Sequence, residues 1–383
     1  MRSHISASLA LFLVLSVPTV PVSAQSPGPG YLSLFNGRDF IGWDIEPNLG
    51  AWVVENSEIS CLGKPATPYL IRSVKEYENF DFYADFKVSK NCNTGIFFHV
   101  QSAGRESRLG FEAQILDDSG KPADKTSTGS IYDVVAPTVN AMKPAGEWNR
   151  YRVLFDWPKC QIWLNGQLVQ DTDFSAHPIL KYRLRRGVIG LSNHGFPVQY
   201  RNIRIKELPD KEAWTSLFNG RNLQGWTAVG DADWQVKDGM LIATKGRGYL
   251  ITDSEFDRFQ FQALAENDTL RSRSGCFFYR WKSVDDPGYA VDFYDFPKAA
   301  VTTKQYRGNI PERVIPPWKY PWLLYQIISA DRESEIRVGG YITTSNSLLG
   351  KVRPGKIAIY HSPEDGIIRF RQIRIQQLEG KGI

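Results

Sequence analysis

The chain is poor in the residues and patterns that build metal, redox or helical proteins. Cysteine occurs four times in 383 residues, at Cys61, Cys92, Cys160 and Cys276, with no Cys-x-x-Cys pair, so no metal-ligand or dithiol pattern is present. The uneven split, three in the first half and one in the second, does not suit a disulfide scaffold. Cys92 and Cys276, each close to an expected strand start, read as buried free thiols. No long segment repeats its apolar residues every 3.6 positions, which excludes a helical bundle. The net charge of +5 is scattered without a Lys/Arg block, so no nucleic-acid partner is expected. The apolar run from Ala7 to Val17 is too short to serve as a membrane anchor, and no membrane span is expected.

That run follows Arg2 and His4 and precedes Val22-Ser23-Ala24, the small-x-small pattern of a signal-peptidase site. Residues 1–24 are expected to be a cleaved signal peptide and 25–32 a leader rich in Pro and Gly. The mature protein is then exported, periplasmic or secreted.

Aromatic residues are plentiful, 13% of the chain with 11 Trp and 17 Tyr. They suit both a β-sandwich core and sugar sites, where ring faces stack on the C–H faces of pyranoses. The strongest organisational signal is a repeat. Leu34-Phe-Asn-Gly-Arg-Asp-Phe-Ile-Gly-Trp43 returns as Leu217-Phe-Asn-Gly-Arg-Asn-Leu-Gln-Gly-Trp226, Thr94-Gly-Ile-Phe-Phe98 aligns with Ser274-Gly-Cys-Phe-Phe278, and Arg201-Asn-Ile-Arg-Ile205 aligns with Arg371-Gln-Ile-Arg-Ile375. A period of this length is far beyond solenoid units and marks a duplicated domain, 33–208 followed by 209–383. Within each copy the runs alternate with period two and are punctuated by Asn-Gly or Asp-Gly turns, as in the hairpin Gln161-Ile-Trp-Leu-Asn-Gly-Gln-Leu-Val169. The expected class is all-β, two tandem sandwiches or jelly rolls.

The stretch that carries chemistry is Gly110-Phe-Glu-Ala-Gln-Ile-Leu-Asp-Asp118. On a strand, alternation puts Glu112 and Gln114 on one face and Phe111, Ala113 and Ile115 on the other, so a carboxylate and an amide project together.

The series Leu-Phe-Asn-Gly-Arg with Gly-Trp, Asn93-Thr-Gly-Ile-Phe-Phe98, Glu112-Ala-Gln-Ile-Leu-Asp117, Gly129-Ser-Ile-Tyr-Asp133, Lys143-Pro-Ala-Gly-Glu-Trp-Asn149, Trp163-Leu-Asn-Gly166 and Asn193-His-Gly195 resembles the 3-keto-disaccharide hydrolase family across the first copy. The resemblance implies a concanavalin-A-like jelly roll and cleavage of glycosides oxidised at C3. A C3 ketone acidifies the C2 hydrogen. The reaction then calls for a base near neutral pKa, a donor or metal at the C3 oxygen and an acid at the leaving oxygen. In the matched motifs Glu112 and His194 are the candidate acid/base pair. Asn93, His99, Gln114, Asp117, Tyr132, Asp133 and Lys143 are candidates for substrate contacts, with His99 expected on the face that Gly95 leaves open. A divalent metal on Glu112, His194 and a further carboxylate suits the chemistry, but no tight ligand spacing marks one, and the cofactor stays open.

Two other classes remain. Glu112, Gln114 and Asp117 share the i, i+2, i+5 spacing of the Glu-x-Asp-x-x-Glu motif of laminarinase-like retaining glycosidases, with an amide and a shorter acid as departures. A lectin-like binding module is the other. The second copy is degenerate: Ala290 aligns with Glu112 and Asp292 with Gln114, and counting back from the last strand puts Glu364 at the His194 position.

Overall fold

A computed structural model describes residues 28–45, 50–64, 70–267, 275–292, 301–302, 321–330, 333–347, 353–363 and 366–378. The expected signal peptide and the first residues of the leader, 25–27, lie outside these residues.

The first half runs β1 (Leu32–Ser33), β2 (Trp43–Asp44), β3 (Trp52–Glu55), β4 (Glu58–Leu62), β5 (Leu70–Ser73), β6 (Asn79–Val88), β7 (Asn93–Val100), α1 (Glu106–Leu109), β8 (Phe111–Leu116), β9 (Asn149–Asp156), β10 (Lys159–Leu164), β11 (Gln167–Asp173), β12 (Val188–Ser192) and β13 (Pro197–Leu208). The second runs β14 (Thr215–Ser216), β15 (Trp226–Gly230), β16 (Trp234–Lys237), β17 (Met240–Ala243), β18 (Gly248–Thr252), β19 (Phe259–Asn267), β20 (Cys276–Trp281), β21 (Tyr289–Asp292), β22 (Val301–Thr302), β23 (Trp322–Ala330), β24 (Glu333–Val338), β25 (Tyr341–Ser347), β26 (Lys356–His361) and β27 (Ile368–Gln377). In the first half an eight-stranded sheet β11-β10-β9-β6-β13-β4-β3, with β1 alongside β13, faces a five-stranded sheet β2-β5-β12-β7-β8. The second half repeats the order as β25-β24-β23-β19-β27-β17-β16, with β14 alongside β27, facing β15-β18-β26-β20-β21-β22. The expected class holds: two tandem concanavalin-A-like jelly-roll sandwiches.

The sequence explains the elements locally. Inward residues at alternate positions, such as Phe80, Phe82 and Phe86 on β6 and Phe111 on β8, meet between the sheets in one apolar core, and the second half has its own. The Leu-Phe-Asn-Gly-Arg motif is a turn. Asn36 Oδ1 accepts the N–H groups of Arg38 and Asp39, and Asn219 Oδ1 those of Arg221 and Asn222. Trp43 and Trp226 then pin each turn, their indole N–H donating to the carbonyls of Leu34 and Leu217. Asn165 and Gly166 take positive φ, 54° and 86°, between β10 and β11, as a two-residue hairpin turn requires. All four cysteines are buried free thiols. No helix among the described residues is long and apolar enough to cross a membrane.

A β-bulge repeated in both copies positions the site. His99 on β7 and Arg280 on β20 have φ of 56° and 58°, and at each the pairing with β12 or β26 slips. Backbone crowds the bulge so closely that glycine flanks it both times. A Cβ on Gly110 would lie 2.0 Å from the Phe98 carbonyl oxygen, and one on Gly288 would lie 2.4 Å from that of Tyr279. The register before the bulge corrects the sequence alignment by one residue. Phe97 pairs with Glu112 and Phe278 with Ala290, so Thr94–Phe98 corresponds to Gly275–Tyr279 rather than to Ser274–Phe278.

The copies also touch. Ala103, Leu109 and Leu184 of the first pack with Leu264 and Leu324 of the second, and Gln260 and Gln326 both donate to the Tyr182 carbonyl.

Candidate functional site

On the five-stranded sheet of the first copy, Ile96, Phe98, Phe111, Ala113 and Ile115 enter the core, whereas Leu70, Phe97, Val100 and Val188 form a separate apolar patch on the opposite, outer face. Alternation sets Glu112 and Gln114 on that outer face. Gly95 makes room for the carboxylate: a Cβ there would come within 2.4 Å of Glu112 Oε1 and 2.8 Å of its Cγ. Glu112 is only 4% exposed. Burial pushes its carboxyl up to about 8; the Arg105 guanidinium opposes this and the Glu106 carboxylate adds to it.

The loop after β7 supplies those neighbours. It ends in α1, a single turn whose first residue, Glu106, is buried and sits 3.7 Å from Arg72 on β5. The Nε of Arg72 is buried with no hydrogen-bond partner in the structure, a donor available to a ligand oxygen. Arg72, Arg105 and Glu106 escaped the sequence reading. The signal that bears on the last two is the charged run Arg105-Glu-Ser-Arg108, set between two strands directly before Gly110.

Other candidates gather along β8. Its free edge is covered by the segment 129–135, where the Tyr132 N–H donates to the Glu112 carbonyl and the Gln114 N–H to the Ser130 carbonyl. Tyr151 from β9 donates its hydroxyl to the Gln114 carbonyl and accepts the Gly129 N–H, fixing β8 against the core. Gln114 Nε2 donates to Asn93 Oδ1 at 3.4 Å, so Asn93, Gln114, Glu112 and the backbone of Tyr132 form one continuous strip. Asp133, exposed and with φ of 61°, pairs with Arg108 of α1 at 3.2 Å.

His194 sits in the turn after β12. Asn193 builds that turn by donating to the Lys64 carbonyl and accepting the Gly195 N–H, which leaves His194 exposed at its tip. Because Leu191 pairs with Ile96 and Asn93 with Leu116, the turn lies at the Asn93 end of the strip, beyond Gln114 rather than beside Glu112.

Three candidates serve the scaffold. His99 is corrected outright: its positive φ breaks the alternation and turns the ring into the core, against Phe80, Phe111 and Phe155. There Nε2 lies 2.7 Å from the Glu78 carbonyl, and burial drives its pKa down to about 3. Asp117 accepts the Asn91 N–H and closes the turn between β6 and β7. Lys143 lies in the loop before β9, its ammonium donating to the Trp148 carbonyl. The proposed metal set of Glu112, His194 and another carboxylate is not assembled: among the described residues no three His, Cys, Asp or Glu side chains converge.

The second copy has lost the constellation. Ala290 stands at the Glu112 position and Cys276 at that of Gly95. Ile251 replaces Arg72, since Thr227 pairs with Ile251 as Asp44 does with Arg72. The loop before Gly288 is shorter than the one before Gly110 and forms no counterpart of α1. Pairing of Leu250 with Ile359, as Ile71 with Leu191, places Ser362 at the His194 position; Glu364 lies outside the described residues.

Residues 30–206 and 213–376 each match the family described as the 3-keto-alpha-glucoside-1,2-lyase-like domain. A curated relative, a 3-keto-disaccharide hydrolase of Bacteroides thetaiotaomicron, is 27% identical over 49% of this chain and 81% of that protein. Among solved structures, a candidate glycosyl hydrolase from Parabacteroides distasonis is 29% identical with a TM-score of 0.41, covering 47% of this chain and 95% of that one. A laminarinase from Flavobacterium sp. UMI-01 is 12% identical with a TM-score of 0.34, covering 44% and 100%.

Proposed function

The chain belongs to the 3-keto-alpha-glucoside-1,2-lyase-like family, and from that premise we propose that its first domain cleaves 3-keto-glycosides outside the cytoplasm, with Glu112 as the base. The observation that carries this reading is the buried Glu112 carboxylate, raised to about 8 on a face that also holds Arg72 and Arg105. A carboxylate of ordinary basicity is a poor acceptor for a carbon-bound proton; one with its pKa raised toward the working pH is better matched.

In the first step Glu112 takes the C2 proton, and the C–H pair forms the C2=C3 bond of an enolate whose charge rests on O3. The guanidinium of Arg72, with its unpartnered Nε, and that of Arg105 supply positive charge for that oxygen. Collapse of the enolate restores the C3 carbonyl, forms C1=C2 and breaks the C1–O bond. The leaving oxygen takes a proton from protonated Glu112 or from the His194 imidazolium at the Asn93 end of the strip. Water then adds, oxygen to C1 and hydrogen to C2, for net hydrolysis. Asn93 and Gln114 are positioned to hold sugar hydroxyls.

A plain retaining glycosidase fits less well, since Asp117, the second acid of that motif, is committed to the Asn91 N–H. A lectin has no use for a carboxylate held near pH 8.

The test offers the purified protein a glucoside and its 3-keto derivative side by side in deuterated water. The expected result is release of the aglycone from the ketone alone, with deuterium at C2. Equal cleavage of the unoxidised glucoside overturns the reading.

A further inference from the structure

We propose that the second domain completes the first domain's site, and that Tyr341 of the second domain is a positioning residue for Arg105. This rests on the reading of Glu112 as the base.

The contact is made by a hairpin tip. In the first copy the β10–β11 turn is Asn165-Gly166; in the second the corresponding β24–β25 turn is Gly339-Gly340, both at positive φ. The loop that carries Arg105 and Glu106 lies against this side-chain-free tip. A Cβ on Gly104 would sit 2.3 Å from Gly339 Cα, and one on Gly340 would sit 2.7 Å from the backbone carbon of Arg108. Backbone bonds lock the approach: Arg105 N–H to the Gly339 carbonyl at 3.0 Å and Leu324 N–H to the Ala103 carbonyl at 2.9 Å. No side chain fits between these backbones, so the pairing is specific to glycine at the tip.

The residue after the tip turns to the site. Tyr341 accepts a hydrogen bond from Arg105 Nη1 at 3.4 Å, and its ring lies 4.9 Å from the Arg108 guanidinium. Arg108 in turn pairs with Asp133 on the segment that covers β8. A single side chain of the second domain thus touches both arginines of the loop that flanks Glu112. The charged groups facing Glu112 are Arg105 and Glu106 from this loop, with Arg72 reaching Glu106 from β5; from the core side the phenols of Tyr151 and Tyr200 couple to it and stay neutral because burial raises them. Arg105 is the cation whose charge opposes the burial of the Glu112 carboxylate.

Full-length Tyr341→Ala and Tyr341→Phe proteins test this by two readouts, the carboxyl titration of Glu112 followed by carbon-13 NMR and the pH profile of kcat/KM on a 3-keto glucoside. Loss of Tyr341 removes one hold on the Arg105 guanidinium, the bond from Nε to the Ser107 hydroxyl at 3.3 Å remaining, so the cation is less firmly placed and Glu112 is expected to titrate at higher pH. For Tyr341→Ala, kcat/KM at pH 7 is then expected to fall about tenfold, the consequence of a shift of about one unit, and to recover as pH rises. Tyr341→Phe keeps the ring beneath Arg108 and moves the same way by less. An unmoved Glu112 titration in Tyr341→Ala, or a loss of rate equal at every pH, overturns the proposal. If Tyr341→Ala does not fold, an unmoved titration in Tyr341→Phe does so. The titration needs no turnover, so a wild-type protein that left 3-keto glucosides intact would defeat the functional reading and leave this test standing.

Discussion

Gly95 and Glu112, on neighbouring strands, share one volume: the place a side chain would fill on Gly95 is occupied by the Glu112 carboxylate, 2.4 Å from the ideal Cβ position. Gly95→Ala is therefore expected to displace the carboxylate while leaving the strand paired. A displacement of about 1 Å at a reacting group costs on the order of a hundredfold in rate. Steady-state kinetics and a melting curve separate the two effects: kcat falls and the melting temperature changes little. Unchanged kcat would show that the carboxylate tolerates the shift.

Glu112→Gln keeps the shape and removes the proton acceptor, so turnover is expected to vanish. The same substitution has a stability signature. The folded pKa of Glu112 is raised to about 8 from 4.5, so the native state binds the proton more tightly than the unfolded chain. The stability this contributes is fully present below pH 4.5 and is lost as pH rises toward 8. Denaturant titrations of wild type and Glu112→Gln should therefore converge at low pH and separate in favour of the variant toward pH 8. A constant difference across that range argues that Glu112 is not desolvated.

His99 shows the opposite sign. Its pKa is lowered to about 3 from 6.5, so the unfolded chain binds the proton more readily, and the stability due to the neutral ring is present above pH 6.5 and lost as pH falls toward 3. His99→Asn keeps a residue that tolerates the positive φ but removes the aromatic contacts. It is expected to lower stability at neutral pH and to weaken the acid limb of the stability curve, with the pH midpoint of kcat unmoved. A shifted kcat midpoint would return His99 to the site.

Those two side chains show what the sequence could and could not reveal. Alternation through Phe111-Glu-Ala-Gln-Ile115 correctly put Glu112 and Gln114 on one face, because β8 is regular from end to end. The same alternation fails on β7, because His99 enters a left-handed bulge that neither histidine nor Arg280 in the second copy announces. The extra residue there turned His99 inward. Asn-Gly and Asp-Gly turns and the duplicated motifs made the sandwich order legible, since turn geometry is local. Arg72 and Glu106 meet across 34 positions of sequence, and Arg105 meets Tyr341 across 236. Pairings of that span are set by sheet order and domain packing, which no local pattern encodes.

The second domain offers the last prediction. Its outer face keeps the frame of the site and lacks its charges, with Ala290 for Glu112, Cys276 for Gly95 and Ile251 for Arg72. Writing the carboxylate back as Cys276→Gly with Ala290→Glu restores the shared volume that Glu112 occupies. It restores neither the Arg72 equivalent nor the loop bearing Arg105 and Glu106. The restored glutamate would face Ile251 and the rings of Tyr249, Phe278 and Trp281, with Ile251 where Arg72 stands in the first domain. Placed in a Glu112→Gln background, the double substitution is therefore expected to yield no turnover at any pH up to 9, measured by aglycone release from a 3-keto glucoside. Recovered activity would mean that one buried carboxylate on this fold suffices, and that the arginines of the first domain are dispensable to the chemistry assigned to them.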